Sequence, residues 1–126
     1  MLEINNVTKR FGSTVAVSEF SLEIGKGEFC VLLGPSGCGK TTVLRLIAGL
    51  EIPDAGAISM SGEDWTDLQP QKRNVAMVFQ HYALYPHRTV RGNIEYPLRL
   101  RGVNPEECRQ KVEWISSLLG LSLIHI

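Results

Sequence analysis

The chain has 126 residues and no formal net charge, with 13 Lys and Arg against 13 Asp and Glu; 44% of its residues are hydrophobic and 21% charged. This length suits one small domain with a modest core, and the even charge argues against nucleic acid as a partner. No apolar run approaches the ~20 residues that cross a bilayer, and the start, Met1-Leu2-Glu3-Ile4-Asn5, lacks the basic and apolar regions of a signal peptide.

In chain order, residues 2–8 alternate loosely and predict a strand, and residues 15–24 predict one or two more, with Leu22 and Ile24 on one face. Gly25-Lys26-Gly27 is a turn. Phe29-Cys30-Val31-Leu32-Leu33 is a short apolar run expected to be a buried strand. A glycine-rich loop follows, then a helix over residues 42–48 that stops at Gly49. Pro53-Asp54-Ala55-Gly56 turns into a strand over residues 57–60, and residues 61–74 read as a polar loop. Val75-Ala76-Met77-Val78-Phe79 is a second buried-strand candidate, ending at Gln80. Thr89 caps a helix over residues 90–100 that Pro97 is expected to kink or end. Asn104-Pro105-Glu106-Glu107 opens a last helix, with Cys108, Val112, Ile115 and Leu119 on its apolar face, Trp114 and Leu118 widening it, and Gly120 closing it. The order predicts an α/β fold: a parallel core, an antiparallel β-portion before it and helices after it. Cys30, Cys38 and Cys108 contain no C-x-x-C pair, which argues against disulfides and zinc and for a reducing compartment.

The glycine-rich loop, Gly34-Pro35-Ser36-Gly37-Cys38-Gly39-Lys40-Thr41, fills every fixed position of G-x-x-x-x-G-K-[ST], a phosphate-binding P-loop. Gly34, Gly37 and Gly39 let the backbone approach phosphate oxygens, and successive amides with the following helix N-terminus attract an anion. Lys40 supplies a mobile charge to the β- and γ-phosphates, and the Thr41 hydroxyl suits Mg²⁺. Nucleoside triphosphate binding is therefore expected. The plain alternative is a turn that happens to be rich in glycine.

Thr8-Lys9-Arg10-Phe11-Gly12, the P-loop, Ile47-Ala48-Gly49-Leu50-Glu51-Ile52-Pro53-Asp54-Ala55-Gly56 and Val78-Phe79-Gln80 together resemble the nucleotide-binding subunit of ABC transporters. Arg73-Asn74-Val75-Ala76-Met77-Val78-Phe79-Gln80-His81-Tyr82-Ala83-Leu84-Tyr85-Pro86-His87 is similar to the importer ATPases for sugars and glycerol-3-phosphate, the maltose-importer type. The resemblance implies an ABC ATPase P-loop fold and an ATPase coupled to solute uptake, with ATP and Mg²⁺ as cofactors. It implies that Phe11 stacks on adenine and Ala16 touches the base. Gly34, Pro35, Ser36, Gly37, Cys38, Gly39, Lys40, Thr41 and Thr42 grip phosphate, while Gln80 joins Thr41 at Mg²⁺ and reaches the attacking water. Residues 82–87, from Tyr82 to His87, would receive a membrane permease subunit, although Arg88 stands where an apolar residue is usual. A second ATPase subunit would pair head-to-tail, with the pair peripheral on the cytoplasmic face of the inner or plasma membrane. Read without the family, Phe11 is a strand-end aromatic, Gln80 a polar strand end and residues 82–86 a solvated turn.

Hydrolysis needs a Mg²⁺-binding carboxylate and a group that orients water. In this family they come from a Leu-Ser-Gly-Gly-Gln signature, an apolar strand ending Asp-Glu and a later His, none of which follows Leu119. Residues 1–120 are thus expected to be a partial nucleotide-binding domain, truncated in its helical subdomain, that binds ATP without hydrolysing it. Leu121-Ser122-Leu123-Ile124-His125-Ile126 departs from the family pattern and can be encoded by a transposase mosaic end, so it is expected to be foreign. Two other readings remain: a soluble non-transport ABC ATPase, and a short non-catalytic nucleotide-binding module.

Overall fold

The structure, a computed structural model, describes residues 1–121. They fall into two units, Met1–Met77 and the residues from Val78 onward, each taken by itself.

The first unit is built on four antiparallel strands, β1 (Leu2–Phe11), β2 (Thr14–Ile24), β3 (Ala55–Met60) and β4 (Glu63–Asp64), in the order β2-β1-β3-β4. β1 is central: Ile4 lies opposite Leu22 on one side and Ile58 on the other. Along β1 the buried positions are Leu2, Ile4 and then Val7, a change of parity that strict alternation forbids. An irregularity between Ile4 and Val7, with Asn6 at φ 48°, turns Val7 back to the core. Helix α1 (Lys40–Ala48) lays Val43 and Leu46 against Leu2, Ile4, Val7, Val17, Ile58 and Trp65. Burying a side chain of this kind stabilises by about 1.5–3 kcal/mol.

Two expected strands do not form. Residues 29–33 and 75–79 lie outside the sheet, with Phe29, Leu33 and Val78 at 89%, 88% and 85% exposure. A strand of a parallel sheet is stabilised when neighbours pair its edges and helices cover its faces. Among the described residues neither run has a strand partner, and from residues 29–33 only Leu32 packs on the core. The polar stretch 61–74 is also more ordered than expected. It holds β4, a 3-10 turn at Pro70–Lys72 and two buried residues, Trp65 and Arg73.

The second unit holds α2 (Val90–Leu100) and α3 (Pro105–Leu118). Thr89 Oγ1 accepts from the Gly92 amide at 3.0 Å and Asn104 Oδ1 from the Glu107 amide at 2.9 Å, the two caps that the sequence implies. Pro97 does not end α2, which runs on to Leu100. Proline removes one donor near the last turn, and later residues keep theirs. On α3, Cys108 and Val112 are buried and Ile115 half-buried, but Leu119, Trp114 and Leu118 are exposed and Ser116 takes a buried place instead. Of the proposed foreign tail, residues 122–126 lie outside the described residues. Leu121 donates its amide to the Ser116 carbonyl at 2.9 Å.

Candidate functional site

α1 begins at Lys40, and its N-cap, Gly39, sits at φ 95°, ψ −2°. That conformation is strained for any residue with a Cβ, and a Cβ at Gly39 would also collide with the Ala16 carbonyl oxygen. Glycine is required twice over at the place where the chain turns from loop to helix. The first bond into α1 runs from the Val43 amide to the Gly39 carbonyl at 2.9 Å. The amides of Lys40, Thr41 and Thr42 precede it and belong to the donors that a helix start leaves without an intrahelical partner. No acid lies in the first turn and no side chain caps it, so nothing offsets the positive end of the helix dipole.

The Lys40 ammonium lies across the loop, donating to the carbonyls of Gly34 and Pro35 at 2.7 Å each, with Cys38 Sγ at 3.5 Å. Pro35, Ser36, Gly37, Cys38 and Thr41 are exposed, and Thr42 is half-buried. A cavity of about 260 Å³ beside the loop is lined by Ala16, Val17, Leu32, Cys38, Gly39 and Lys40, among others. The fold thus brings Ala16 from β2 to the phosphate loop. A strand residue, a turning backbone and a mobile ammonium around one hollow suit a phosphorylated ligand with an apolar portion.

Phe11 does not line that cavity. It ends β1 with 47% of its surface exposed, and the Lys9 ammonium stands 5.4 Å from its ring centre. Lys9 also donates to the Ile52 carbonyl at 2.8 Å, and Asp54 accepts from the Arg10 amide at 2.6 Å, tying the end of β1 to the turn after α1. Gln80 lies exposed in a turn of the second unit. Beyond it Tyr82 and Ala83 take left-handed φ values of 58° and 49°. The Tyr85 ring meets Tyr96 edge-on at 5.0 Å and His87 at 5.9 Å. Arg88, unexpected in an apolar position, lays its guanidinium 4.4 Å from the Tyr96 ring centre.

The chain belongs to the ABC transporter family. The model of that family, described as "ABC transporter", matches residues 17–125. The chain is 53% identical over 112 residues to the spermidine/putrescine import ATP-binding protein PotA of Nitrosospira multiformis, covering 89% of this chain and 31% of that protein. It is 50% identical over 120 residues to the Fe(3+) ions import ATP-binding protein FbpC of Photorhabdus laumondii subsp. laumondii, covering 95% of this chain and 34% of that protein. It therefore spans about a third of the length of these curated relatives. A solved ATP-binding cassette, in a dimeric post-hydrolysis state with ADP and Pi, superposes with a TM-score of 0.86 at 29% identity, over 99% of this chain and 60% of that one. The fold is the ABC ATPase form of the P-loop fold, mixed α/β with an antiparallel sheet.

One residue whose role the sequence did not reveal is Arg73. It is 2% exposed, and its guanidinium donates to the carbonyls of Leu46 and Ile47 at 2.7 and 2.9 Å, Leu68 at 2.7 Å, and Trp65. It thereby closes the C-terminal end of α1, a favourable place for a cation. Burial pushes its pKa below the ordinary arginine value, and the negative charge of Asp67 opposes that shift. Gly49 makes room: its φ is 75°, and a Cβ there would lie 2.7 Å from Arg73 Nε. A lone arginine in a polar stretch carries no periodic signal, so only its neighbours in space reveal this role.

Proposed function

We propose that this chain is the ATP-binding part of an ABC importer ATPase that drives uptake of a small solute. The geometry at the start of α1 carries this function: Gly39 as a left-handed cap, Lys40 across the loop and an uncapped helix N-terminus. Loop amides and Lys40 hold the β- and γ-phosphates, Ala16 meets the base and Phe11 stacks on it. Thr41 would hold Mg²⁺, which would neutralise charge on the phosphates, and the resemblance gives Gln80 the role of orienting the attacking water. The exposed Thr41 side chain in the first turn of α1 fits that ion.

Residues 82–87 receive a permease subunit, and a second ATPase subunit completes the site head-to-tail on the cytoplasmic face of the membrane. Among the described residues no helix is long and apolar enough to cross a membrane. The sugar-type narrowing has no counterpart in the relatives reported, whose names speak of spermidine/putrescine and Fe(3+) import. Polyamine uptake is the first solute to assay with the full-length parent.

The 126-residue chain is expected to bind Mg-ATP without turning it over. Titration with a fluorescent ATP analogue should show Lys40→Ala weakening affinity about tenfold or more, the loss of a charge-assisted contact. Unchanged affinity in that variant, or Lys40-dependent hydrolysis by the purified chain, overturns the proposal.

A further inference from the structure

We propose that Asn93 is the positioning residue that gives residues 82–88 the shape a partner recognises. This rests on the permease-contact role proposed above for that segment. Asn93 lies half-buried in the first turns of α2. Its Oδ1 accepts from the Tyr85 amide at 2.8 Å, and its Nδ2 donates to the Tyr85 carbonyl at 3.2 Å. One side chain thus satisfies both main-chain groups of Tyr85. Nδ2 also reaches the carbonyls of Thr89 at 3.0 Å and Arg88 at 3.3 Å, so the clamp closes the segment onto the start of the helix.

The segment needs such a clamp. Tyr82 and Ala83 hold left-handed φ values without being glycine, a strained arrangement that persists only when its surroundings impose it. With the Tyr85 backbone held and its ring against Tyr96, Tyr82 and Leu84, two residues apart in sequence, are left 76% and 69% exposed as apolar contacts. Arg88 lies over Tyr96, with its guanidinium 5.8 Å from the Tyr85 ring centre, and adds a cation. Asparagine is a poor helix former, so its presence inside α2 costs helix stability that the clamp offsets. The partner that fits is a permease segment with an apolar face for Tyr82 and Leu84 and an acceptor for Arg88.

The test uses the full-length parent and its permease, with binding of the two measured by titration. N93A is expected to weaken assembly about tenfold through lost hydrogen bonds. N93D is expected to weaken it further, because a carboxylate then faces three carbonyl oxygens. V112A, which opens a cavity at the fully buried Val112 of α3, is expected to lower the thermal midpoint without weakening assembly to the same degree. L84D, at the contact itself, is expected to abolish assembly. Equal weakening by N93A and V112A at matched loss of thermal midpoint means that Asn93 is merely structural and overturns the proposal. Loss with L84D but none with N93A overturns the role of Asn93 alone. Intact assembly with L84D overturns the contact surface itself, and this proposal with it.

Discussion

Residues 2–8 and residues 29–33 both look like strands on paper. The first is paired along both edges as β1, and the second lies outside the sheet with Phe29 and Leu33 almost fully exposed. The difference is where each finds a partner. β1 meets β2 across a turn of two residues, Gly12 and Ser13, so the entropy of closing that loop is small. A parallel strand depends on partners reached through crossovers of a dozen residues or more. Local pairing forms from the sequence at hand, whereas a parallel core needs its whole neighbourhood.

The contrast can be broken by substitution. Arg73→Met would leave the carbonyls of Leu46, Ile47, Leu68 and Trp65 without their donor, at a cost of about 4 kcal/mol in urea unfolding of the chain. A cost under about 1 kcal/mol would show that water replaces the guanidinium and that the clamp is incidental. Ile58→Ala, in the paired sheet at 0% exposure, should cost about 3 kcal/mol, against less than about 0.5 kcal/mol for Leu33→Ala at 88% exposure. Equal costs would mean that residues 29–33 contribute to the core after all.

Gly39→Ala should cost about 2 kcal/mol, from a left-handed φ and the collision with the Ala16 carbonyl, and should weaken binding of the ATP analogue as well. The smallest effect concerns acid. The Asp64 carboxylate, hydrogen-bonded by the Thr66 side chain and by the Thr66 amide at 2.9 Å, has its pKa lowered below the usual 3.8. A depressed carboxylate pKa stabilises the fold above the unfolded-state value, and the contribution is lost as pH falls through the folded-state value. Asp64→Asn should therefore lower stability slightly at neutral pH and flatten the fall in stability below about pH 4.

Legibility follows the range of the forces involved. The start of α1 at the P-loop, the caps Thr89 and Asn104 and the stop at Gly49 depend on residues within one or two turns, and each could be read in order along the chain. Arg73 and Asn93 were not legible as clamps, because their partners lie up to 27 and 8 residues away and carry only main-chain oxygens or amides. Main-chain groups are the same in every residue, so the pattern of side chains cannot announce them. Trp65 was missed for a related reason: it sits in a polar stretch, and only its place under the sheet buries it.

The sequence by itself determined the phosphate loop, the helix ends and the family, since glycine, proline and capping side chains act through local backbone geometry and spacing. Tertiary structure alone decided which apolar runs become core, that Ala16 lies beside Lys40, and that one buried arginine closes α1. Those outcomes depend on which surfaces and carbonyls meet across the fold, and a one-dimensional pattern does not encode that meeting.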